Sequence, residues 1–335
     1  MPSLKGLFIL NPKSFAQIYG AMELNDIQKH VEIYAPPQTA QSIRENLGLL
    51  EQADVIFSGW GGPLLDEDFL AAAPRLKAFF YGAGTIRALV TDAFWQSGIL
   101  ITSAAAANAV PVAEFTLAQI ILSLRLAWRA ALDIKREARY STEIKQRIPG
   151  VYRTTVGLIS LGLIGRMVAE HLRILDVHVI AYDPFVQPET AAQLNLELCA
   201  TLDEVFQRAE VVSLHTPWLK ETEGMITGAH FRQMKPNATF INTARGAVVR
   251  EAEMIEVLQQ RPDLTALLDV TYPEPPAEHS PLLTLPNVVL TPHLAGSTNQ
   301  ECERMGRYMV EELERFVNGE PLRYGITREQ FQRMA

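Results

Sequence analysis

The chain contains 335 residues, of which 48% are hydrophobic and 20% charged, with a formal net charge of −8 at pH 7. This length suggests two domains of ordinary size, and the acidic balance disfavours a nucleic-acid-binding role. Two cysteines, Cys199 and Cys302, cannot form a disulfide framework, and no apolar run reaches the ~18 residues of a membrane span. With no signal-peptide pattern at the N-terminus, we expect a cytoplasmic protein without membrane or nucleic-acid partners.

Short apolar runs alternate with segments of helical composition in the first third of the chain. Such alternation is typical of parallel strands joined by crossover helices. The runs predicted to form strands are 4–10, 30–35, 54–60, 76–82 and 99–104. This part of the chain is therefore predicted to contain a parallel sheet covered by helices.

A longer stretch of helical composition follows, from about Pro111 to Arg139. Pro111 is expected in its first turn, where proline is tolerated, and good helix-forming residues dominate after it. The stretch ends before the polar, irregular segment 141–153. Its length suits a helix that connects two domains.

A second set of apolar runs occupies the following part of the chain, and several are near-continuous, as in strands buried on both faces. The predicted strands are 154–160, 177–183, 211–216, 238–244, 264–271 and 287–293. A last long helix is predicted from about Asn299 to Asn318. Its apolar residues at helical spacing are expected to pack in the core, and they are Met305, Met309, Leu313 and Phe316.

The segment Val156–Gly165, VGLISLGLIG, runs from a predicted strand through a tight turn into a helix. Dinucleotide-binding turns usually read G-x-G-x-x-G, and here Ser160 replaces the first glycine. Gly162 and Gly165 retain the positions that let backbone approach a pyrophosphate and helix pack on strand. Ser160 is expected at negative φ, with a hydroxyl that could reach a phosphate oxygen or cap the helix. The cofactor-binding residues predicted here are Ser160, Gly162, Leu163, Ile164 and Gly165.

The next predicted strand ends in Asp183, which is followed by Pro184. An acid at this place can accept hydrogen bonds from both ribose hydroxyls of the adenosine, and it repels a 2′-phosphate. The alternative is that Asp183 only begins a turn, since Asp-Pro is common turn chemistry. The order of strand, turn, helix, strand and acid favours a cofactor site and predicts NAD rather than NADP.

Three further residues, Arg245, Glu274 and His293, lie at predicted strand ends, where α/β proteins bind ligands. Each alone has an ordinary explanation as a loop residue, but together they suit hydride reduction of a 2-oxo acid. A planar arginine matches a carboxylate, a histidine can donate a proton near neutrality, and a glutamate can keep that donor charged. We predict that these three residues are catalytic and that the site needs no metal ion.

The ordered combination of these segments resembles the D-isomer-specific 2-hydroxyacid dehydrogenase family over nearly the whole chain. The segments that carry the resemblance are 103–122, 156–165, 179–185, 215–222, 241–249, 268–276 and 291–298. The resemblance implies that Arg245 orients substrate, that His293 is the acid/base and that Glu274 is its partner. It also implies that Thr216 and Pro217 contact the adenine side of NAD. Other cofactor contacts, mainly on the nicotinamide side, would come from Thr243, Ala244, Arg245, Asp269, His293 and Gly296.

The resemblance also implies an α/β fold of two Rossmann-like or flavodoxin-like doubly wound domains. A nucleotide domain at 116–298 would be inserted into a substrate domain at 1–115 and 299–335. Such proteins are commonly homodimers joined through their nucleotide domains. The implied activity is the NAD-dependent interconversion of a 2-oxo acid and a D-2-hydroxy acid.

The segment 81–90, YGAGTIRALV, departs from the family, which usually carries aspartate after the glycine of this loop. Its backbone N–H groups could still bind a substrate carboxylate together with Arg245, and the residues predicted to do so are Ala83, Gly84 and Thr85. Arg87 either adds a positive charge near the substrate or is a solvated or salt-bridged surface residue.

Two alternatives to the dehydrogenase remain open on the sequence. One is a dinucleotide-sensing binding protein or corepressor on the same fold, against which the intact Arg245, Glu274 and His293 argue. The other is a formate- or phosphite-type dehydrogenase. Glu274 disfavours the formate type, because that type pairs its histidine with glutamine.

Overall fold

The computed structural model describes residues 4–334, which form two compact units. The first unit comprises the described residues of Met1–Ala109 and Ser297–Ala335, and the second comprises Val110–Gly296. The second unit is therefore inserted in the sequence between two parts of the first. Both units contain a parallel sheet with connecting helices, which confirms the predicted fold class.

The first unit contains a five-stranded parallel sheet, with each strand inside one of the predicted runs. Its strands are β1 Leu4–Ile9, β2 Val31–Ile33, β3 Val55–Ser58, β4 Ala78–Tyr81 and β5 Leu100–Ser103. Their order in the sheet is β2-β1-β3-β4-β5, which is that of flavodoxin-like doubly wound folds. Phe57 stacks between Phe8 and Phe80 at centroid distances of 5.2 and 5.3 Å, so an aromatic row crosses β1, β3 and β4.

Helices cover both faces of this sheet, and several begin at a side chain that accepts an N–H of the first turn. Asn11 accepts from Lys13 N at 2.9 Å, for example. The helices wholly within the first unit are Pro12–Ile18, Ala21–Gln28, Ala40–Glu45, Glu67–Ala72, Asp92–Ser97, Glu301–Asn318 and Arg328–Arg333, with a 3-10 helix at Leu47–Gln52. Met305, Met309 and Leu313 are fully buried, which confirms their predicted core packing.

The structure differs from the predicted connector helix in two ways: the helix begins earlier, and it is broken into two. A helix spans Ala105–Leu124, so Pro111 lies inside it rather than in its first turn. The alanines before Pro111 explain the earlier start, because alanine has the highest helix propensity. A second helix follows at Ala127–Glu137, and the break falls at Leu126, whose left-handed backbone has φ 49°.

Helix Ala105–Leu124 is long and apolar enough to cross a membrane by length and composition alone, with a mean hydropathy of 1.4. Core helices share these properties. Ala113, Ile120 and Leu124 are fully buried among the core residues of the second unit. The buried Gln119 accepts a hydrogen bond from Trp128 Nε1 at 2.7 Å. These contacts are those of a helix packed in a protein core.

The second unit contains a seven-stranded parallel sheet. Its strands are β6 Thr155–Ile159, β7 His178–Tyr182, β8 Glu197–Leu198, β9 Val211–Leu214, β10 Thr239–Asn242, β11 Thr265–Leu268 and β12 Val288–Leu290. Their order is β12-β11-β10-β9-β6-β7-β8. All except β8 lie within predicted runs, and the two residues of β8 are too few to form a recognisable pattern. The strand order reverses between β6 and β9, and α/β sheets bind ligands beyond the carboxyl ends at such a point.

Helices also cover the second sheet. Besides the two connector helices they are Leu163–Leu172, Pro188–Gln193, Leu202–Arg208, Gly228–Gln233 and Glu251–Gln260, with 3-10 helices at Glu143–Arg147, Gly246–Val248 and Pro281–Leu283. Phe231 and Phe240 meet edge to face in the core, with centroids 4.9 Å apart. Cys199 and Cys302 are both free and buried.

At Gly306, helix Glu301–Asn318 packs closely against the end of helix Pro12–Ile18. A Cβ at this position would lie 1.8 Å from the Ile18 backbone oxygen. We predict that Gly306→Ala lowers the free energy of unfolding by roughly 1–3 kcal/mol, because the helices must separate. Gly48→Ala is the control, since Gly48 is exposed and its nearest neighbour would be 3.7 Å away. Equal losses for the two variants in urea denaturation would contradict the prediction.

Candidate active site

The predicted site residues of the second unit all follow strand ends. Because its strands are parallel, the carboxyl ends of β6, β7, β9, β10, β11 and β12 lie at one edge of the sheet. The fold thus brings to one edge residues that are far apart in the sequence. The substrate-binding residues predicted in the first unit follow β4 of the other sheet.

Ser160 lies between β6 and helix Leu163–Leu172, and its backbone has φ 72°. The expectation of a negative φ is wrong, because this tight turn requires the left-handed conformation that glycine usually supplies. The Ser160 hydroxyl lies 2.8 Å from Thr216 Oγ1 and so joins the turn to the end of β9. That contact helps to hold a conformation that costs a non-glycine residue about 1 kcal/mol.

The two glycines of the turn have different surroundings. A Cβ at Gly165 would lie 2.2 Å from the Ser160 backbone oxygen, so helix and turn pack closely only because no side chain is present. A Cβ at Gly162 would meet no atom within 4 Å. Gly162 therefore borders open space at a helix N-terminus, where backbone N–H groups favour an anion. This arrangement fits the pyrophosphate of NAD.

Asp183 follows β7, and both of its carboxylate oxygens accept backbone N–H groups. Oδ2 accepts from Leu161 at 2.7 Å, which ties Asp183 to the glycine turn. Oδ1 accepts from Phe185 at 2.9 Å, which is the turn interaction of the alternative interpretation. Each carboxylate oxygen has a further lone pair. Asp183 can therefore form the turn and still accept from a ribose hydroxyl.

The remaining predicted cofactor residues of this edge occupy three places. Leu163 and Ile164 begin helix Leu163–Leu172. Pro217 follows β9, and its backbone oxygen accepts from the Thr222 hydroxyl at 2.6 Å. Gly296 follows β12 and is the last residue of the second unit.

The turn after β10 is held by the buried side chain of Asn242. Its amide oxygen accepts from Ala244 N at 3.0 Å, and its amide nitrogen donates to the Arg245 backbone oxygen at 3.1 Å. The Thr243 hydroxyl lies 3.0 Å from the hydroxyl of Thr116. The backbone of this turn is thus fixed from several directions.

Arg245 extends from this turn, and its Nη1 donates to the Ala244 backbone oxygen at 2.6 Å. Burial lowers the pKa of the Arg245 guanidinium, and the negative charge of Glu274 opposes that shift. A Cβ at Gly246 would lie 2.1 Å from the Thr271 backbone carbon. The turn therefore packs directly against the segment that leads to Glu274.

The loop after β12 is fixed by Asp269, at the end of β11. The Asp269 carboxylate accepts from the Thr291 hydroxyl at 2.6 Å, from Leu294 N at 2.9 Å and from Ala295 N at 3.0 Å. Its backbone oxygen accepts from His293 N at 2.9 Å. His293 adopts a left-handed backbone with φ 52° within this loop.

His293 and Glu274 form a close pair, with His293 Nδ1 2.5 Å from Glu274 Oε1. Their side chains are 46% and 39% exposed, so a ligand can reach them. Among residues 4–334, His293 Nε2 has no hydrogen-bond partner. A carboxylate on Nδ1 and an unoccupied Nε2 suit a general acid or base. No group of three or more His, Cys, Asp or Glu in the described part of the chain could hold a metal ion.

The loop after β4 in the first unit carries Ala83, Gly84 and Thr85, and Arg87 follows them. Arg87 Nε donates to the Met334 backbone oxygen at 2.8 Å, and Nη2 donates to that of Phe331 at 3.1 Å. The guanidinium also lies over the Phe331 ring, 5.0 Å from its centroid. These contacts favour a structural role for Arg87 over contact with substrate.

Sequence reasoning missed Asn242, Thr116 and His215. Asn242 and His215 stand at strand ends, a position that could have singled them out. Nothing in the sequence indicates that Thr116 partners Thr243. His215 is only 8% exposed, and neither ring nitrogen has a hydrogen-bond partner among the described residues.

A doubly wound sheet with a glycine turn after its first strand and an acid after its second defines a dinucleotide-binding domain. Residues 117–295 match the family model described as D-isomer specific 2-hydroxyacid dehydrogenase, NAD binding domain. The chain belongs to this family, which confirms the predicted resemblance and the predicted cofactor, NAD.

Known relatives cover most of the chain. It is 32% identical over 264 residues to D-3-phosphoglycerate dehydrogenase of Archaeoglobus fulgidus, across 78% of this chain and 49% of that protein. It is 32% identical over 256 residues to (S)-sulfolactate dehydrogenase of Chromohalobacter salexigens, across 75% of this chain and 81% of that protein. The chain spans about half the length of the phosphoglycerate dehydrogenases that it matches.

The fold is also similar to that of a solved structure, D-lactate dehydrogenase with NAD⁺ from Lactobacillus jensenii. The TM-score is 0.78 at 26% sequence identity, and the match covers 97% of this chain and 100% of that chain. Both units of the chain are therefore included in the similarity.

His215 makes stability sensitive to acid. Burial lowers the pKa of His215 from its ordinary 6.5 to about 4. Between these values the unfolded chain binds a proton that the folded chain does not, so the free energy of unfolding falls as the pH falls. The full loss is roughly 3 kcal/mol at about 1.36 kcal/mol per pKa unit. We predict that His215→Phe shows a shallower pH dependence between pH 7 and 4.5 in urea denaturation. The same slope in both proteins would contradict this.

Proposed function

We propose that the protein is an NAD-dependent dehydrogenase that interconverts a 2-oxo acid and a D-2-hydroxy acid. The observation that carries this proposal is the His293–Glu274 pair, with Nδ1 and Oε1 2.5 Å apart, at the strand edge of the NAD-binding domain. Arg245 supplies a cation at the same strand edge, and the negative charge of Glu274 opposes the lowering of the Arg245 pKa by burial. A cation, a proton donor and an acceptor that holds the donor are the groups that reduction of a 2-oxo acid requires.

Each of the three side chains has a distinct task. Arg245 binds the substrate carboxylate and polarises the adjacent ketone, because its planar fork matches two oxygens. His293 donates the proton on Nε2 to the ketone oxygen during reduction, and it accepts that proton from the hydroxyl during oxidation. Glu274 holds the imidazole in place through its contact with Nδ1. Bound NADH supplies the hydride to the ketone carbon.

The residues that would hold NAD follow strand ends along the same edge of the sheet. Ser160, Gly162, Leu163, Ile164 and Gly165 would face the pyrophosphate, and Asp183 the adenosine ribose. Thr216 and Pro217 would lie on the adenine side. The nicotinamide side would be bordered by Thr243, Ala244, Asp269 and Gly296.

The proposed substrate class is defined by the carboxylate and the neighbouring hydroxyl or ketone of the substrate, and not by its other substituents. The relatives are named for phosphoglycerate, sulfolactate and lactate, which share a hydroxyl beside a carboxylate and differ in their other substituents. In the first unit, the backbone N–H groups of Ala83, Gly84 and Thr85 would offer hydrogen bonds to such a carboxylate. We expect a cytoplasmic homodimer joined through the NAD-binding domains, without nucleic-acid or membrane partners.

The activity is tested by NADH oxidation with a series of 2-oxo acids, from glyoxylate to aromatic and dicarboxylic acids. On the best substrate, Arg245→Lys should lower kcat/KM by at least about 100-fold, because the point charge of lysine cannot replace the bidentate fork. Arg250→Lys is the control, because Arg250 is exposed and contacts Gly224 and Glu253 instead. Near-normal kcat/KM for Arg245→Lys would remove Arg245 from the substrate site. NADH binding without turnover of any acid would favour a dinucleotide-sensing protein.

Asp183 should determine the choice of cofactor. We predict that kcat/KM for NADPH is at least about tenfold below that for NADH, because the carboxylate repels a 2′-phosphate. Asp183→Ser should narrow this difference. The matched control is Asp203→Ser, which removes an exposed acid that binds Gln233. Equal kcat/KM values for the two cofactors in the unmodified protein would show that Asp183 does not face the ribose.

A further inference from the structure

The buried serine at the end of β5 holds the loop that follows β4. Ser103 is 3% exposed, and its hydroxyl lies 3.0 Å from the backbone oxygen of Ala83 and also within hydrogen-bond distance of that of Gly84. The same hydroxyl accepts from Ala105 N at 3.1 Å. One small side chain therefore draws two successive carbonyl groups of the loop toward the end of β5.

The direction of these carbonyl groups fixes the direction of two N–H groups. The Ala83 carbonyl and the Gly84 N–H belong to one peptide unit, and the Gly84 carbonyl and the Thr85 N–H belong to the next. In a trans peptide the C=O and the N–H point in opposite directions, and the cis bonds of the described chain lie elsewhere, before Pro273 and Pro275. The N–H groups of Gly84 and Thr85 therefore point away from Ser103.

These N–H groups are available to a ligand. Within residues 4–334, neither Gly84 N nor Thr85 N donates to a protein acceptor, although the carbonyl groups of the same peptides are both engaged. Successive N–H groups that point to one side form a concave site for an anion. A carboxylate has two oxygens and can accept from both groups at once.

We propose that Ser103 is a positioning residue for substrate, which orients the Gly84 and Thr85 N–H groups toward the carboxylate of the 2-oxo acid. This inference rests on the proposed function and adds a residue that does not itself touch substrate. Without the Ser103 hydroxyl, the two carbonyl groups lose their shared donor, and the peptide planes of the loop can rotate. The carboxylate then loses its aligned donors, whereas the cofactor site on the other unit keeps its own contacts.

The experiment compares Ser103→Ala with Ser58→Ala. Ser58 is a matched control, because it is the partner of Tyr81 on one side of β4 and Ser103 is the partner of Tyr81 on the other side. It is fully buried, and its hydroxyl donates to the Ile9 backbone oxygen at 2.6 Å rather than to the loop after β4. Each variant removes one buried serine hydroxyl from the same sheet, so both should lose similar stability.

We expect Ser103→Ala to raise KM for the best 2-oxo acid about tenfold, with KM for NADH within about twofold. Ser58→Ala should change neither KM. Ser103→Thr keeps a hydroxyl at this position, and its KM for the acid should be close to that of the unmodified protein. If Ser103→Ala does not fold, Ser103→Cys is measured instead, because it keeps the size but donates weakly, and it should also raise KM for the acid alone.

Three results would count against this role of Ser103. Equal KM values for the acid in the Ser103 and Ser58 variants would overturn the inference and leave the proposed function intact. A parallel rise in KM for NADH would show a general structural defect and would also overturn it. No turnover of any 2-oxo acid by the unmodified protein would overturn the proposed function, and this inference with it.

Discussion

The carboxylate of Asp269 is buried at the end of β11, with 4% of the residue exposed. A buried carboxylate is stable only when hydrogen bonds replace the water that it has lost. Its donors all come from the loop after β12, so that loop cannot leave the end of β11 without stranding the carboxylate. His293 lies within the loop, and Glu274 lies on the chain that leaves β11. This desolvated group thus holds the loop that carries His293 beside the end of β11, where the chain that leads to Glu274 begins.

Most of this framework could be predicted from the sequence, because it depends on local patterns. Strands buried on both faces produce apolar runs, and parallel strands place the residues after those runs at one edge. The predicted runs therefore located β6, β7, β9, β10, β11 and β12 as well as the residues that follow them. The pairing of Glu274 with His293 did not follow from spacing. It was expected from a family resemblance, and the 2.5 Å contact in the structure agrees with it.

The features that sequence reasoning did not find depend on contacts between distant residues or on backbone conformation. A serine in a turn is usually at negative φ, but the path from β6 into its helix places Ser160 at φ 72°, where Thr216 supports it. The break at Leu126 likewise departs from the local preference of leucine, because its backbone is left-handed there, with φ 49°. The contact of Thr116 with Thr243 joins positions that no short pattern relates.

Three small buried polar side chains each hold a neighbouring loop in place through hydrogen bonds to its backbone. Asp269, Asn242 and Ser103 each stand at or next to a strand end, and each binds backbone groups of a loop that carries proposed site residues. Supports of this kind fix the main chain and leave the side chains of residues such as Arg245 and His293 free to meet a ligand. Such supporting side chains must be buried to have this effect. In water, the backbone groups that they bind would be solvated equally well, and the hydrogen bonds would select no single conformation of the loop.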